Sequence, residues 1–304
     1  MEPSYVEWYF TNKCYLNCIH CMNNASIIND NEDFDNLTFI CNELIKIKPT
    51  TINISGGDPL IEPNIYNIAN MFLKNNINLT LSTTGFKIDK DSILNILKFF
   101  PGGIQLSIDS FNSEVHDKIR GRKGALHNCI KTIKLIRKYS LEYDIQVCMV
   151  LNKLNVNDIK NTIKLAIELK VNSIKILSLY PIGRSKQNKY LFLDKNDMNK
   201  PLEDIVDAKN KYPDINIFYR DPIWQLNRHI IKPDKNYMMT IMNNGDIKIA
   251  TYLPFCFGNV YKDNLYSIWN YKMENFFTTE AFKKYFNNIN TVFDIKDKDD
   301  LIWI

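Results

Sequence analysis

The segment Tyr5-Val-Glu-Trp-Tyr-Phe-Thr-Asn-Lys-Cys14-Tyr-Leu-Asn-Cys18-Ile-His-Cys21 decides how the rest of the chain is read. Its first half is rich in aromatic and β-branched residues and stops at polar ones, which is a strand signal. Its second half places Cys14, Cys18 and Cys21 on one short loop. Soft thiolates select iron–sulfur clusters, zinc or cuprous copper. A structural zinc wants a fourth Cys or His, and His20, wedged between Cys18 and Cys21, is poorly set to be that ligand. Three Cys on a four-iron cluster would leave one iron open to a substrate group.

The strand-then-helix pattern recurs outward from this segment. Strand signals fall at 5–11, 51–55, 78–82, 104–108, 145–151 and 173–179. Helical spacing falls at 35–47, where Leu37, Ile40, Leu44 and Ile47 share a face, and again at 66–74, 92–99, 126–139 and 156–169. Such alternation predicts an α/β fold with a parallel sheet that closes toward a partial (β/α)6 barrel. Chemistry in these folds gathers at the C-terminal ends of strands. Polar motifs stand there in this chain: Cys14, Gly56-Gly57-Asp58, Thr83-Thr84-Gly85, Asp109, Asn152 and Pro181-Ile182-Gly183.

After about Arg184 the rhythm changes. Short strands are expected at 214–219, 238–242 and 247–251, with Asn243-Asn244-Gly245-Asp246 as a hairpin turn between the last two. Helices are expected at 265–271 and 280–286. This divides the chain into a barrel over 1–185 and a smaller α+β region over 186–304.

The chain has 304 residues, 45% hydrophobic and 24% charged, which suffices for a full core and excludes a disordered or disulfide-stapled chain. A net charge of +4, spread along the sequence, argues against a nucleic-acid or membrane partner. No apolar run reaches the length of a membrane span, and the first residues lack a signal-peptide pattern, so a cytoplasmic protein is expected. Seven cysteines, an odd number, fit thiols kept reduced. Cys41, Cys129 and Cys148 read as core.

The Cys14-x-x-x-Cys18-x-x-Cys21 signature resembles that of radical S-adenosylmethionine (radical SAM) enzymes, and the resemblance runs over residues 5–184. Gly56-Gly57-Asp58-Pro59 resembles the family's Gly-Gly-Glu-Pro motif at the SAM amino group, with Asp for Glu. Ser82-Thr83-Thr84-Gly85 resembles its Thr-Asn-Gly motif, and Ser107-Ile-Asp109-Ser110 its Ser-Leu-Asp-Gly stretch near the ribose. His116-Asp-Lys-Ile-Arg120-Gly121 resembles a segment of the peptide-modifying branch whose Arg can face the SAM carboxylate. The resemblance implies one 4Fe–4S cluster on Cys14, Cys18 and Cys21. It implies a SAM site drawn from Gly56, Gly57, Asp58, Ser82, Thr83, Ser107, Asp109, Arg120 and Asn152. The chemistry implied is reductive SAM cleavage to a 5′-deoxyadenosyl radical. A lumen lined with aliphatic residues would suit such a radical.

The C-terminal third, with Gly245, Gly258-Asn259-Val260 and Leu265 to Trp269, resembles a SPASM or twitch region. Ala250 stands where that pattern has an auxiliary-cluster Cys, so a single cluster is expected. Cys256 then has two readings, a buried core residue or a hydrogen donor to a substrate radical, as in radical SAM epimerases. Tyr180, Arg184, Tyr219, Arg220 and Tyr252 are substrate-facing candidates. The resemblance implies a peptide substrate and a maturase of ribosomally made products, with a sugar, nucleoside or amino acid as the alternative, and a non-catalytic metal protein as the remote one. An electron donor such as flavodoxin or ferredoxin is implied. Because the first strand begins so early, a separate peptide-recognition partner is expected.

Overall fold

The computed structural model describes residues 2–27, 33–194, 196–231, 236–296 and 300–304. Its strands form one sheet. β1 (Tyr5–Thr11), β2 (Thr51–Gly56), β3 (Asn78–Thr83), β4 (Ile104–Ser107), β5 (Ile145–Leu151) and β6 (Ser173–Ser178) lie side by side in chain order, all parallel. The expected six units are therefore present in sequence order. Their helices are α1 (Phe34–Ile47), α2 (Ile65–Lys74), α3 (Lys90–Phe99), α4 (Ser113–Arg120), α5 (Ala125–Tyr139) and α6 (Ile159–Glu168). α1 shows why they form: Asp33 caps its first turn through the Asp35 N–H, and Leu37, Ile40, Cys41, Leu44 and Ile47 make one buried stripe. α4 was not foreseen as a helix, although Asn112 caps it at one end and Gly121, at φ +65, stops it at the other.

The parallel sheet does not end at the sixth strand. After α7 (Arg184–Gln187) and α8 (Asn199–Lys211), β7 (Asn216–Arg220) adds to β6 in parallel. After α9 (Pro222–Ile231), β8 (Met238–Ile241) adds to the opposite side, parallel to β1. The order β8-β1-β2-β3-β4-β5-β6-β7 is that of a ring, but among the described residues no pairing joins β7 to β8. β9 (Asp246–Lys248), β10 (Phe255–Asn259) and β11 (Ile302–Trp303) continue outward from β8. The foreseen turn joins β8 to β9 as an antiparallel hairpin, with Gly245 at φ +85. Residue 185 thus marks a change of rhythm while the sheet runs through it on both sides. α10 (Leu265–Ile268) and α11 (Glu280–Phe286) cover the added strands, and Phe255, Phe276 and Phe282 pack edge-on beneath them.

The faces of the ring differ. Outward-facing Val6, Trp8, Phe10, Ile52, Ile54, Leu79, Leu81, Leu106, Val147 and Ile176 join the core under the helices. The inward face corrects the expectation of an aliphatic lumen. Glu7, Asn53, Thr80, Ser82, Gln105, Ser107, Gln146 and Lys175 occupy the alternate positions. They bond along the wall: Asn53 Nδ2 donates to Ser82 Oγ at 3.1 Å, Thr80 Oγ1 to Asn53 Oδ1 at 3.0 Å, and Gln146 Nε2 to Ser173 Oγ at 3.0 Å. Polar side chains of this wall satisfy one another, which lowers the cost of turning them inward.

Leu44 is fully buried in the outer layer. Leu44→Ala is expected to destabilise the chain by about 2–5 kcal/mol, read as a lower urea midpoint under reducing conditions.

Candidate functional site

The loop after β1 carries the three thiols and is irregular, so its backbone must find partners elsewhere. Three neighbouring segments supply them. From the loop after β2, the Gly57 and Asp58 N–H groups donate to the carbonyls of Thr11 and Lys13 at 2.6 and 2.7 Å. From the end of α4, the carbonyls of Ile119 and Arg120 accept from Ile19 and Asn17. From the loop after β6, the Arg184 N–H donates to Cys21 O at 2.9 Å and Arg184 Nε to Cys18 O at 2.7 Å. Each approach is made by a glycine. A Cβ would stand 2.1 Å from Lys13 O at Gly57, 2.3 Å from Asn17 O at Gly121, and 2.4 Å from Met22 O at Gly183. These glycines are required because backbone presses on backbone.

So held, Cys14, Cys18 and Cys21 line one cavity of about 210 Å³. Cys14 and Cys18 are buried. Burial pushes the Cys14 thiol up, and the Asp58 charge adds to it. Burial raises Cys18 to about 11 against the opposing pull of Arg120. Thiolates crowded this way need a cationic partner to form, and a bound metal supplies one. Among the described residues no three His, Cys, Asp or Glu are gathered on a single-ion site. Thiols spread around a cavity suit a multi-iron cluster, whose ligands sit on separate irons, better than one tetrahedral zinc.

The rest of the lining brings together most of the residues singled out from sequence: Gly56, Gly57, Ser82, Thr83, Ser107 and Arg120. Tyr9, Asn23 and Gln105 also line it and carried no sequence signal beyond their strand or loop position. Asn23 Nδ2 reaches Gly56 O at 3.4 Å, while among the described residues its buried Oδ1 has no hydrogen-bond partner. An orphaned acceptor in the wall facing the Gly56-Gly57 turn fits a ligand donor such as an amino group. Arg184 and Tyr180 line the same cavity. Tyr252 packs on Tyr180 at 4.8 Å between ring centres.

Four expected site residues lie elsewhere. Asp58 is buried behind the wall, accepting from Thr83 Oγ1 at 2.7 Å, from the Thr84 N–H and hydroxyl, and from the Leu60 N–H. It fastens the loop after β2 to the loop after β3. Asp109 is fully buried one layer below the cavity. Its Oδ1 accepts from Val150 N at 2.9 Å, and its Oδ2 faces Arg120 Nε at 2.7 Å and His20 Nε2 at 3.1 Å. Burial alone would raise this carboxyl, but Arg120 and His20 more than offset it and hold it well below the usual carboxylate range. The same pair aims Arg120, whose Nη1 stands 3.9 Å from Cys18 Sγ. Asn152 builds the turn after β5, accepting from Leu154 N and donating to Val150 O.

Cys256 is the fourth. It is fully buried within β10, between β9 and β11, and its thiol donates to Gly258 O at 3.4 Å. The run Phe255–Asn259 is a strand, and the buried Cys256 lines neither the thiol cavity nor a smaller one beyond the end of β6.

A model of the radical SAM superfamily matches residues 8–166. AdoMet-dependent heme synthase of Methanosarcina barkeri is 27% identical over 188 residues, 61% of this chain and 53% of that protein. The antilisterial bacteriocin subtilosin biosynthesis protein AlbA of Bacillus subtilis is 30% identical over 142 residues, 46% of this chain and 32% of its own length. The chain thus spans about half or less of these two curated relatives. Among solved structures, Streptococcus suis SuiB bound to S-adenosylmethionine aligns with a TM-score of 0.70 at 17% identity, over 90% of this chain and 67% of that one. SuiB bound to its precursor peptide SuiA aligns at 0.64 and 16% identity, over 96% of this chain and 66% of that one. These likenesses establish the α/β fold.

Two outcomes follow from the geometry. Gly183→Ala sets a Cβ against two carbonyls at a φ of +60, so iron bound per chain after anaerobic reconstitution should fall severalfold, whereas Cys41→Ala, in the core of α1, should keep it. Burial lowers the His116 imidazole to about 4, against the pull of Asp109. The unfolded chain then takes up that proton near pH 6.5 and the folded one only near 4. His116 should therefore cost no stability above pH 6.5 and about 1–3 kcal/mol by pH 4. Denaturation of the metal-free chain across that window should show the loss, and His116→Gln should flatten it.

Proposed function

We propose that this chain, which belongs to the radical SAM superfamily, modifies a peptide by hydrogen abstraction as a maturase of a ribosomally made product. The superfamily's members are enzymes whose cofactors are a 4Fe–4S cluster and SAM. The observation that carries the chemistry is the cavity itself. Three thiols of one loop face the Gly56-Gly57 turn, the hydroxyls of Ser82, Thr83 and Ser107, and the Arg120 guanidinium. When bound there, cluster and SAM supply a 5′-deoxyadenosyl radical able to take hydrogen from an unactivated C–H bond.

The chain's own residues do the positioning. Cys14, Cys18 and Cys21 would hold the cluster and leave one iron open. Asn23 Oδ1 and the Gly56 carbonyl would accept from the SAM amino group, and Arg120, braced by Asp109, would face its carboxylate. Ser82, Gln105 and Ser107 would meet polar groups deeper in the lumen. Leu16, Ala25, Val150, Leu177 and Leu179 give the remaining lining its apolar character and limit water near the reacting bond. A single cluster is proposed, since Ala250 and the buried Cys256 offer no second thiol set. An external electron donor such as flavodoxin or ferredoxin, and a separate peptide-recognition protein, complete the proposal.

The peptide substrate rests on relatives named for bacteriocin biosynthesis and solved with a precursor peptide. A small-molecule substrate is the second reading, favoured by the likeness to a heme synthase.

Anaerobic reconstitution should give about four irons per chain and 5′-deoxyadenosine when SAM and dithionite are added. Cys18→Ala should lose both. About eight irons would refute the single cluster. Iron without SAM cleavage would refute the radical chemistry.

A further inference from the structure

A second cavity, of about 90 Å³, opens beyond the end of β6. It shares Ser178 and Leu179 with the first, so the two cavities adjoin. Its walls are apolar: Leu151, Phe192, Leu193, Met198 and Val292. One end is polar, formed by Asp221 and the hydroxyls of Tyr219 and Ser178.

Asp221 is the unusual member. Its Oδ1 caps α9 by accepting from Trp224 N at 2.9 Å. Among the described residues its Oδ2 accepts one hydrogen bond, from Ser178 Oγ at 3.3 Å, a hydroxyl also 2.8 Å from Tyr219 OH. Among the described residues no Lys, Arg or His forms an ion pair with Asp221. The charge of the neighbouring Arg220 acts on the buried hydroxyls of Tyr180 and Tyr252. A helix cap needs no apolar sleeve around it, and an apolar ligand would strip water from this carboxylate without replacing it. A long cationic side chain satisfies both halves. Its methylene stem packs on the leucine, phenylalanine and methionine walls, and its ammonium meets the carboxylate and hydroxyl oxygens.

We propose that this cavity is a specificity subsite for a basic side chain of the substrate, lysine in size, held beside the hydrogen-abstraction site. The proposal rests on the peptide reading above. The test uses reconstituted protein and two fragments, Nα-acetyl-lysine N-methylamide and its norleucine counterpart, which lacks only the ammonium. Affinities are measured by saturation-transfer NMR. The lysine fragment should bind at least tenfold more tightly than the norleucine one. Asp221→Asn, which keeps the helix cap, should reduce that preference below twofold without weakening the norleucine fragment. Equal affinities in the unsubstituted protein, no binding of the lysine fragment, or a preference unchanged in Asp221→Asn would each overturn the subsite. A parallel assay of 5′-deoxyadenosine release with lysine-containing and lysine-free peptides separates the two claims. Release with both alike sinks the subsite and spares the peptide reading. A lysine preference in the fragments with no peptide stimulating release sinks the peptide reading and leaves the subsite to a smaller basic substrate.

Discussion

Everything at the site depends on backbone packed against backbone. The thiol loop has no ladder of its own, and its shape is borrowed from the loop after β2, the end of α4 and the loop after β6. A side chain at Gly57, Gly121 or Gly183 would push one of these supports away by about an ångström. The supports come from residues far apart in sequence, so the loop can take its final form only once the sheet has brought strands β1, β2 and β6 into place. Fold and cluster site are therefore coupled: the ring positions the loop, and a bound cluster would in turn stabilise the ring.

Behind this loop lies a second tier that touches no ligand. Asp58 ties two strand-end loops together, and Asp109 braces Arg120 and His20. Both carboxylates are buried, and each is matched by several donors, which is what makes a buried charge tolerable. Such tiers keep the lining residues from relaxing when the cavity is empty.

The parallel sheet, the helices and the cysteine site were legible because they rest on local signals: alternation, helical spacing and three thiols on one loop. The sequence did not show which polar residues face the cavity and which stand behind it. Asp58, Asp109 and Asn152 occupy strand ends as Ser107 does, yet their acceptors turn toward backbone N–H groups, that of Thr84 in the next strand-end loop, of Val150 in β5, and of Leu154 in the same turn. That choice is made by three-dimensional partners. The lumen was misread for a related reason. Glu7 and Lys175 are improbable residues for an aliphatic lumen, and nothing local announces that the strands turn them inward. Nothing local marks Cys256 as a strand residue, since one partner of its strand, β11, lies nearly fifty residues downstream. Arg184 was found only as a candidate, and its grip on the thiol loop is a tertiary fact.

Among the described residues no ladder joins β7 to β8, so β7 is an edge strand of the sheet. A closed barrel ties each strand to its neighbours on both sides, whereas here the wall has an end. The thiol loop at the end of β1 and Asp221 at the end of β7 are therefore linked, within the sheet, through the six ladders from β1 to β7 and not across that line.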